Sequence, residues 1–248
     1  MTRLPAPAVS LAGLLGLWTA AALAAADPQI LPPPWALIGP ARAEIASGRL
    51  PFHLGHTLWR VAWAFVLAMV LGTVLGYAMG RCRRLDRWLD PWLVVFLNLP
   101  ALVLIVLCYL WIGLNETAAI TAVVLNKVPN VTTVIREGAR SLSGDLDDLA
   151  AVFHMPPGRR VRHVILPQLG PYLSAAARSG VAVIWKIVLV VEFLGRSNGI
   201  GFQIHLYFQL FDVTRVLIYA LSFVAVMLAV EWALLQPWER LAGRWRRA

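Results

Sequence analysis

Long apolar runs separated by short polar or arginine-bearing segments make up most of the chain, without strict alternation of apolar and polar positions. A helix needs about 20 consecutive apolar residues to cross a hydrocarbon core of roughly 30 Å. Six runs are read this way: 8–26, 57–80, 91–112, 116–134, 171–194 and 216–236. They predict an all-α, polytopic transmembrane helical bundle of about six spans. The second run places Ala64, Ala68, Gly72, Gly76 and Gly80 at every fourth position. On a helix these form one smooth stripe, which predicts a seam where a neighbouring backbone approaches closely. Between the first two runs, Leu31-Pro32-Pro33-Pro34 enforces an extended entry. After it, Leu37, Ala41, Ile45 and Ala46 share one face of a short surface helix, with a solvated loop as the alternative.

The segment 136–170 is the only sizeable polar stretch between runs, and it is organised. Leu146, Leu149, Ala150 and Phe153 fall at i, i+3, i+4 and i+7, the spacing of one helical face. Ser143 stands at the N-cap position. Asp145, Asp147 and Asp148 fill the first turn, where the helix dipole favours negative charge. Met155-Pro156-Pro157-Gly158 then stops the helix, and Pro156, Pro157 and Pro167 stiffen its connection to the next run. An acidic polar face is repelled by an anionic leaflet, so a protein partner covering Leu146, Leu149 and Phe153 is expected.

Composition agrees with the runs. Of 248 residues, 59% are hydrophobic and 14% charged, and mean hydropathy is +0.70. The formal net charge is +9. That excess reads as topology, because short cytoplasmic segments gather arginine. With the N-terminus inside, fifteen arginines fall in cytoplasmic segments, against Arg42, Arg49, Arg60, Arg196 and Arg215 outside. Both termini are therefore expected in the cytoplasm. No basic recognition element with interleaved aromatics is present, so nucleic acid is not an expected partner. The first run follows Arg3 and ends in Leu23-Ala24-Ala25-Ala26 before Asp27, which also fits a cleavable signal peptide. A retained helix is the expectation adopted. Cys82 and Cys108 lack CxxC spacing, so neither a metal nor a disulfide framework is expected. HExxH, GxSxG and Walker A patterns are absent, and no cofactor is implied.

Charges inside the runs carry further information. Lys127 lies beside Asn126 and Val128-Pro129, and Lys186 and Glu192 lie in the fifth run. Such residues usually face a cavity or a partner. One reading has Lys127 and Lys186 lining a pathway for an anion. The other has each paired with an acid such as Glu192, or snorkelling to an interface. Glu192 itself could reach headgroups or Arg196. Pro129 frees a backbone carbonyl, which marks the fourth run as the expected broken helix.

Asp148-Leu149-Ala150, followed by Val164-Ile165-Leu166-Pro167, resembles the EAA loop of binding-protein-dependent ABC import permeases. The resemblance extends to Leu31-Pro32-Pro33-Pro34, Gly76 to Gly80, Asp90-Pro91, Asn98-Leu99-Pro100, Val128-Pro129, and Glu192 with Ser197-Asn198-Gly199-Ile200-Gly201. It is most similar to the aliphatic sulfonate, taurine and nitrate branch. Asp148 stands where that family has Glu, Leu149 where it has its first Ala, and His154 where it has Gly.

The resemblance implies a type I importer permease fold with a cytoplasmic coupling helix, in a bacterial inner membrane. It implies a homodimer with two separate ATPase subunits and a periplasmic substrate-binding protein, this chain itself being no enzyme. Coupling would run through Leu146, Asp148, Leu149, Ala150, Phe153, His154, Leu166 and Pro167, and the pathway past Asn126, Lys127, Pro129, Lys186 and Glu192. The organisation expected is an N-terminal helix and outer segment over 1–56, a membrane core over 57–236, and a basic tail over 237–248. Two other classes stay open. A membrane-embedded lipid-modifying enzyme would need clustered carboxylates or histidines at membrane depth, and the five histidines are scattered. A small channel would leave the organised loop unexplained.

Overall fold

The computed structural model describes residues 6–230 and 233. The basic tail 237–248, Arg3, and nearly all of the sixth run after Val230 lie outside the described residues. The described residues are mostly helical: α1 (Ala6–Ala25), a 3-10 turn (Pro34–Leu37), α2 (Ile38–Ala46), α3 (Arg49–Arg81), α4 (Arg83–Asn98), α5 (Ala101–Ile112), α6 (Glu116–Arg140), α7 (Gly144–Val152), α8 (Pro157–Arg160), a π turn (Val161–Ile165), α9 (Leu166–Gly195), α10 (Ile200–Gln209) and α11 (Val213–Val230). By length and apolarity alone, α3, α6 and α11 qualify as membrane spans, and the bent pair α4–α5 adds a fourth. Of the six runs expected to span, those on α3, α4–α5, α6 and α11 meet this measure, and those on α1 and α9 do not. The apolar part of α1 is short, and α9 is diluted by Arg178, Lys186 and Glu192.

The centre of the bundle is α3, α6 and α9. The expected small-residue stripe of α3 is its contact with α6, which runs parallel to it. A Cβ on Gly72 would stand 2.6 Å from the Val131 Cβ, and one on Gly76 2.6 Å from the Thr132 carbonyl. One on Gly80 would stand 2.5 Å from the Ala139 Cβ. Only glycine allows the two backbones this close. Antiparallel to both runs α9, whose Tyr172 ring lies against Gly138 of α6.

The break in the membrane falls elsewhere than expected. Pro129 sits within α6, which continues unbroken from Glu116 to Arg140. The broken element is the third span, where α4 and α5 meet at 100°. Leu99 is extended (φ −72°, ψ 125°), as steric conflict with the following Pro100 ring requires. Pro91, expected to open that span, lies inside α4 instead.

The surface helix after the prolines exists as α2, but its inward face differs from the expected one. Leu37, Ala41 and Glu44 turn inward, while Ile45 and Ala46 are exposed. Glu44 decides the rotation: it accepts a hydrogen bond from the Tyr219 hydroxyl (2.9 Å) and pairs with Arg49 (2.9 Å). The segment 195–215, between the fifth and sixth runs, contains α10, which buries Ile200, Gln203 and Tyr207 at helical spacing.

From Pro157 to Gly195 the backbone never leaves the helical region: α8, the π turn and α9 join end to end. Prolines explain the π turn. Pro167 has no N–H to give, and its ring would strike the carbonyl four residues back. A wider turn just before it, closed by the Leu166 N–H on the Val161 carbonyl, removes the clash.

Candidate functional site

Two groups of residues stand out, at opposite ends of the α3–α6–α9 core. The first is α7 with its exit. Ser143 takes the N-cap position in extended conformation, but its side chain caps nothing. Its backbone N–H donates instead to Gln168 Oε1 (3.0 Å), and Gln168 Nε2 donates to the Val164 carbonyl (2.9 Å). The start of α7 is thereby fastened to the start of α9. Ser141 and Tyr172 share a second link, 2.8 Å between hydroxyls.

The C-terminus of α7 closes in a Schellman motif. The His154 N–H reaches the Ala151 carbonyl and the Met155 N–H the Ala150 carbonyl, at 3.0 and 2.9 Å. His154 occupies the position that glycine favours, in the left-handed region at φ +46°. The departure from the family pattern noted at this residue is therefore accommodated, at some conformational cost.

The apolar face of α7 divides in two. Ala150 is buried against the chain, while Leu146, Leu149 and Phe153 point outward, Phe153 being 69% exposed. Val152, which the i, i+3, i+4 pattern does not pick out, is 74% exposed and widens this face. Asp148, Leu166 and Pro167 are exposed too, whereas Ile165 and Leu169 turn inward. The same end of the core carries a cleft of about 810 Å³, lined in part by Arg81, Arg83, Asp86, Arg87 and Arg140.

The second group is a buried polar network centred on Arg60, which is 2% exposed. Its guanidinium donates to Glu192 Oε1 at 2.6 Å, to both carboxylate oxygens of Glu116 at 2.6 and 2.8 Å, and to the Asn198 carbonyl at 2.9 Å. It also meets the Asn198 side-chain oxygen. Arg196 joins through Glu116 (2.7 Å) and the Leu114 carbonyl (2.9 Å). Glu192 is fully buried, and its second oxygen accepts from the Thr57 hydroxyl and the Gly201 N–H, each at 2.9 Å. The Ile200 N–H donates to Thr57 Oγ1 (2.8 Å), and the Gly199 N–H to His53 Nδ1 (3.1 Å). His53 Nδ1 is therefore an acceptor, so the neutral ring carries its proton on Nε2 and donates it to the Gln203 side chain 2.6 Å away, whose amide oxygen faces the ring.

This geometry explains Ser197-Asn198-Gly199-Ile200-Gly201. Gly199 has φ +111°, and a Cβ at either glycine would overlap atoms of the Leu189–Glu192 turn. Backbone N–H groups in such a loop commonly bind anions. Here the anion is the chain's own carboxylate. Glu192 thus reaches neither headgroups nor Arg196 directly, and neither lysine pairs with it.

The two lysines lie apart. Lys127 is 2% exposed, with its Cε alongside Gly180 and Phe65. Among the described residues it has no ion-pair or hydrogen-bond partner. Lys186 is exposed on α9. Asn126 is half-buried, and Pro129 is buried. Sequence reasoning missed Arg60, Glu116 and Thr57. Arg60 counts among external arginines only if the second span begins after it, and it in fact sits three turns inside α3. The available signal was an arginine and a glutamate each at membrane depth, where charges need partners.

A model of the family described as binding-protein-dependent transport system inner membrane component matches residues 55–235. The chain is 29% identical over 237 residues to SsuC of Escherichia coli (strain K12), a permease protein named for aliphatic sulfonates transport, covering 95% of this chain and 90% of that one. It is 27% identical over 127 residues to the bicarbonate transport system permease protein CmpB of Synechococcus elongatus, 50% of this chain and 46% of that one. Among solved structures, an amino acid ABC transporter superposes with a TM-score of 0.63 at 20% identity, over 80% of this chain and 96% of that one. The MetNI methionine ABC transporter in inward-facing conformations gives 0.58 at 17% identity, over 75% and 92%.

Proposed function

The chain belongs to the family of binding-protein-dependent transport system inner membrane components, and from that premise we propose that it is the pathway-forming subunit of an ATP-driven importer. Two copies enclose the passage, and a periplasmic binding protein delivers the solute. The α7 end faces the cytoplasm, where a separate ATPase subunit receives α7; both chain termini are on that side.

The single observation that carries this reading is the outward apolar face of α7. Leu149, Val152 and Phe153 are more than half exposed on a helix whose acidic residues disfavour an anionic membrane surface. Leu146, Asp148, His154, Leu166 and Pro167 border the same contact, while Ala150 turns inward and packs α7 against the chain. The solute is proposed to be a small anion. The names of SsuC and CmpB, aliphatic sulfonate and bicarbonate, support that class. Lys186 and Asn126 border the passage; Lys127, Pro129 and Glu192 shape it from within the subunit.

The test is Phe153→Asp or Leu149→Asp in cells carrying the whole transport system. Uptake is expected to fall below a tenth while membrane insertion is unchanged and the ATPase no longer co-purifies. Unchanged uptake with the ATPase still bound would overturn the assignment.

A further inference from the structure

Helices of one bundle should present similar surfaces to the same surroundings, and α9 does not. The exposed positions of α3 over 66–75 are Val66, Leu67, Val70, Leu71, Val74 and Leu75, all aliphatic. Those of α11 after Ile218 are Leu221, Val224, Ala225, Leu228 and Ala229, again all apolar. On α9 the exposed positions after Leu173 include Arg178, Ser179, Ala182, Val183, Lys186 and Val190. At about 100° per residue these six fall within an arc of roughly 140°, with Lys186 near its middle.

Cations at membrane depth face a water-filled cavity or a partner, because hydrocarbon gives them nothing in exchange for their hydration. Lys186 has no partner among the described residues. Helix α9 runs from the π turn at the α7 end to the Arg60 network at the other. At 1.5 Å per residue, Lys186 is about 30 Å from the π turn, about 9 Å from Glu192 in the network and about 14 Å from the helix end at Gly195. Snorkelling to either surface is therefore long for a lysine stem. The other lysine lies elsewhere around the helix. Lys127 packs at Gly180, and six residues separate Gly180 from Lys186, about 120° apart around the axis.

We propose that this face of α9 lines the aqueous passage and that Lys186 makes the passage selective for anions, whereas Lys127, sealed inside the subunit, never meets the solute. Ser179 and Ala182 keep the wall narrow and uncluttered beside the ammonium. The inference rests on the permease reading and assigns the substrate class to one wall of the site.

Thiol labelling tests it without knowledge of the solute. Ala182→Cys is placed in a Cys82→Ser background, in membrane vesicles holding the full complex with its ATPase. Labelling rates are measured with an anionic sulfonatoethyl and a cationic trimethylammonium methanethiosulfonate, each normalised to its rate with a free thiol. Both the resting state and the state trapped with ATP and vanadate are assayed.

In at least one state the anionic reagent should react at least tenfold faster than the cationic one. Adding Lys186→Gln should bring the ratio close to unity, and Lys186→Glu should invert it. Lys127→Gln should leave it unchanged. Val70→Cys, on the aliphatic face of α3, should react with neither reagent. Failure of both reagents to label the Ala182→Cys thiol in either state would overturn the proposal, placing this face against lipid or a second copy. A ratio indifferent to Lys186 would overturn it equally. In either case, retention of the ATPase by the parent chain and its loss on Phe153→Asp would leave the permease reading standing.

Discussion

The two ends of the α3–α6–α9 core solve opposite problems. At one end, Arg60, Glu116, Glu192, Thr57, His53 and the 197–201 loop bind one another, and Arg60 alone makes five contacts with three residues. At the other end, α7 shows its largest apolar side chains to the outside. The first end is closed on itself; the second is complete only with something added. A buried charged network fixes geometry because removing its central arginine leaves the buried Glu192 carboxylate without an ionic partner. An uncovered apolar face of this kind is what the proposed docking of a partner on α7 would bury. Rigidity and receptivity are therefore kept about the length of a membrane apart, joined by helices.

Single substitutions at the two ends should behave differently. The largest stability effect is expected for Arg60→Met, about 3–5 kcal/mol, because it strands the buried Glu192 carboxylate; Glu192→Met should cost less, since Arg60 keeps both its hydrogen bonds to Glu116. The readout is thermal unfolding of the purified complex and its yield in the membrane. Replacing both at once should recover most of that loss. A double variant as unstable as the sum of the singles would remove the network's special standing. Next comes the seam. Gly76→Leu should cost about 1–3 kcal/mol, since its side chain has nowhere to go between α3 and α6.

At the α7 end the order reverses between stability and function. Phe153→Asp should change unfolding by no more than about 0.5 kcal/mol, as expected for an exposed position, while uptake collapses. The smallest effect sharpens the contrast from the other direction. His154→Gly should stabilise the α7 turn by up to about 1 kcal/mol, because glycine adopts φ +46° without a Cβ conflict. Uptake should be unchanged. A large transport defect in that variant would mean that His154 acts in coupling through its ring.

Much of this was legible in the chain. The spacing of Gly72, Gly76 and Gly80 identified the α3 seam, because small residues at a four-residue interval have one structural use in apolar helices. Leu146, Leu149 and Phe153 with the aspartates marked α7, because helical period and cap chemistry are local properties. What was not legible depended on distant residues. Ala150 and Val152 exchange their expected faces because α7 is oriented by Gln168, twenty-five residues from Ser143. Pro129 bends nothing visibly and Pro100 bends the third span, a difference decided by what packs around each. Arg60 and Glu192 are separated by 132 residues, so only the antiparallel pairing of α3 and α9 brings them together. The use of glycines 199 and 201 could not be read from their own stretch, because the carboxylate that fills their turn belongs to the preceding helix.

The uninterrupted helical path from Pro157 to Gly195 gives these two ends a mechanical relation. Glu192 pins one extremity of α9 within the network, and Gln168 ties the other extremity to the start of α7. The distance from Leu166 to Glu192 is on the order of 40 Å along the helix. Such an element is a lever with its fulcrum in the Arg60 cluster. If α9 pivots there as a rigid body, a tilt of about 10° moves the α7 end by about 7 Å, and a long stroke at that end becomes a short movement of larger force near the pivot.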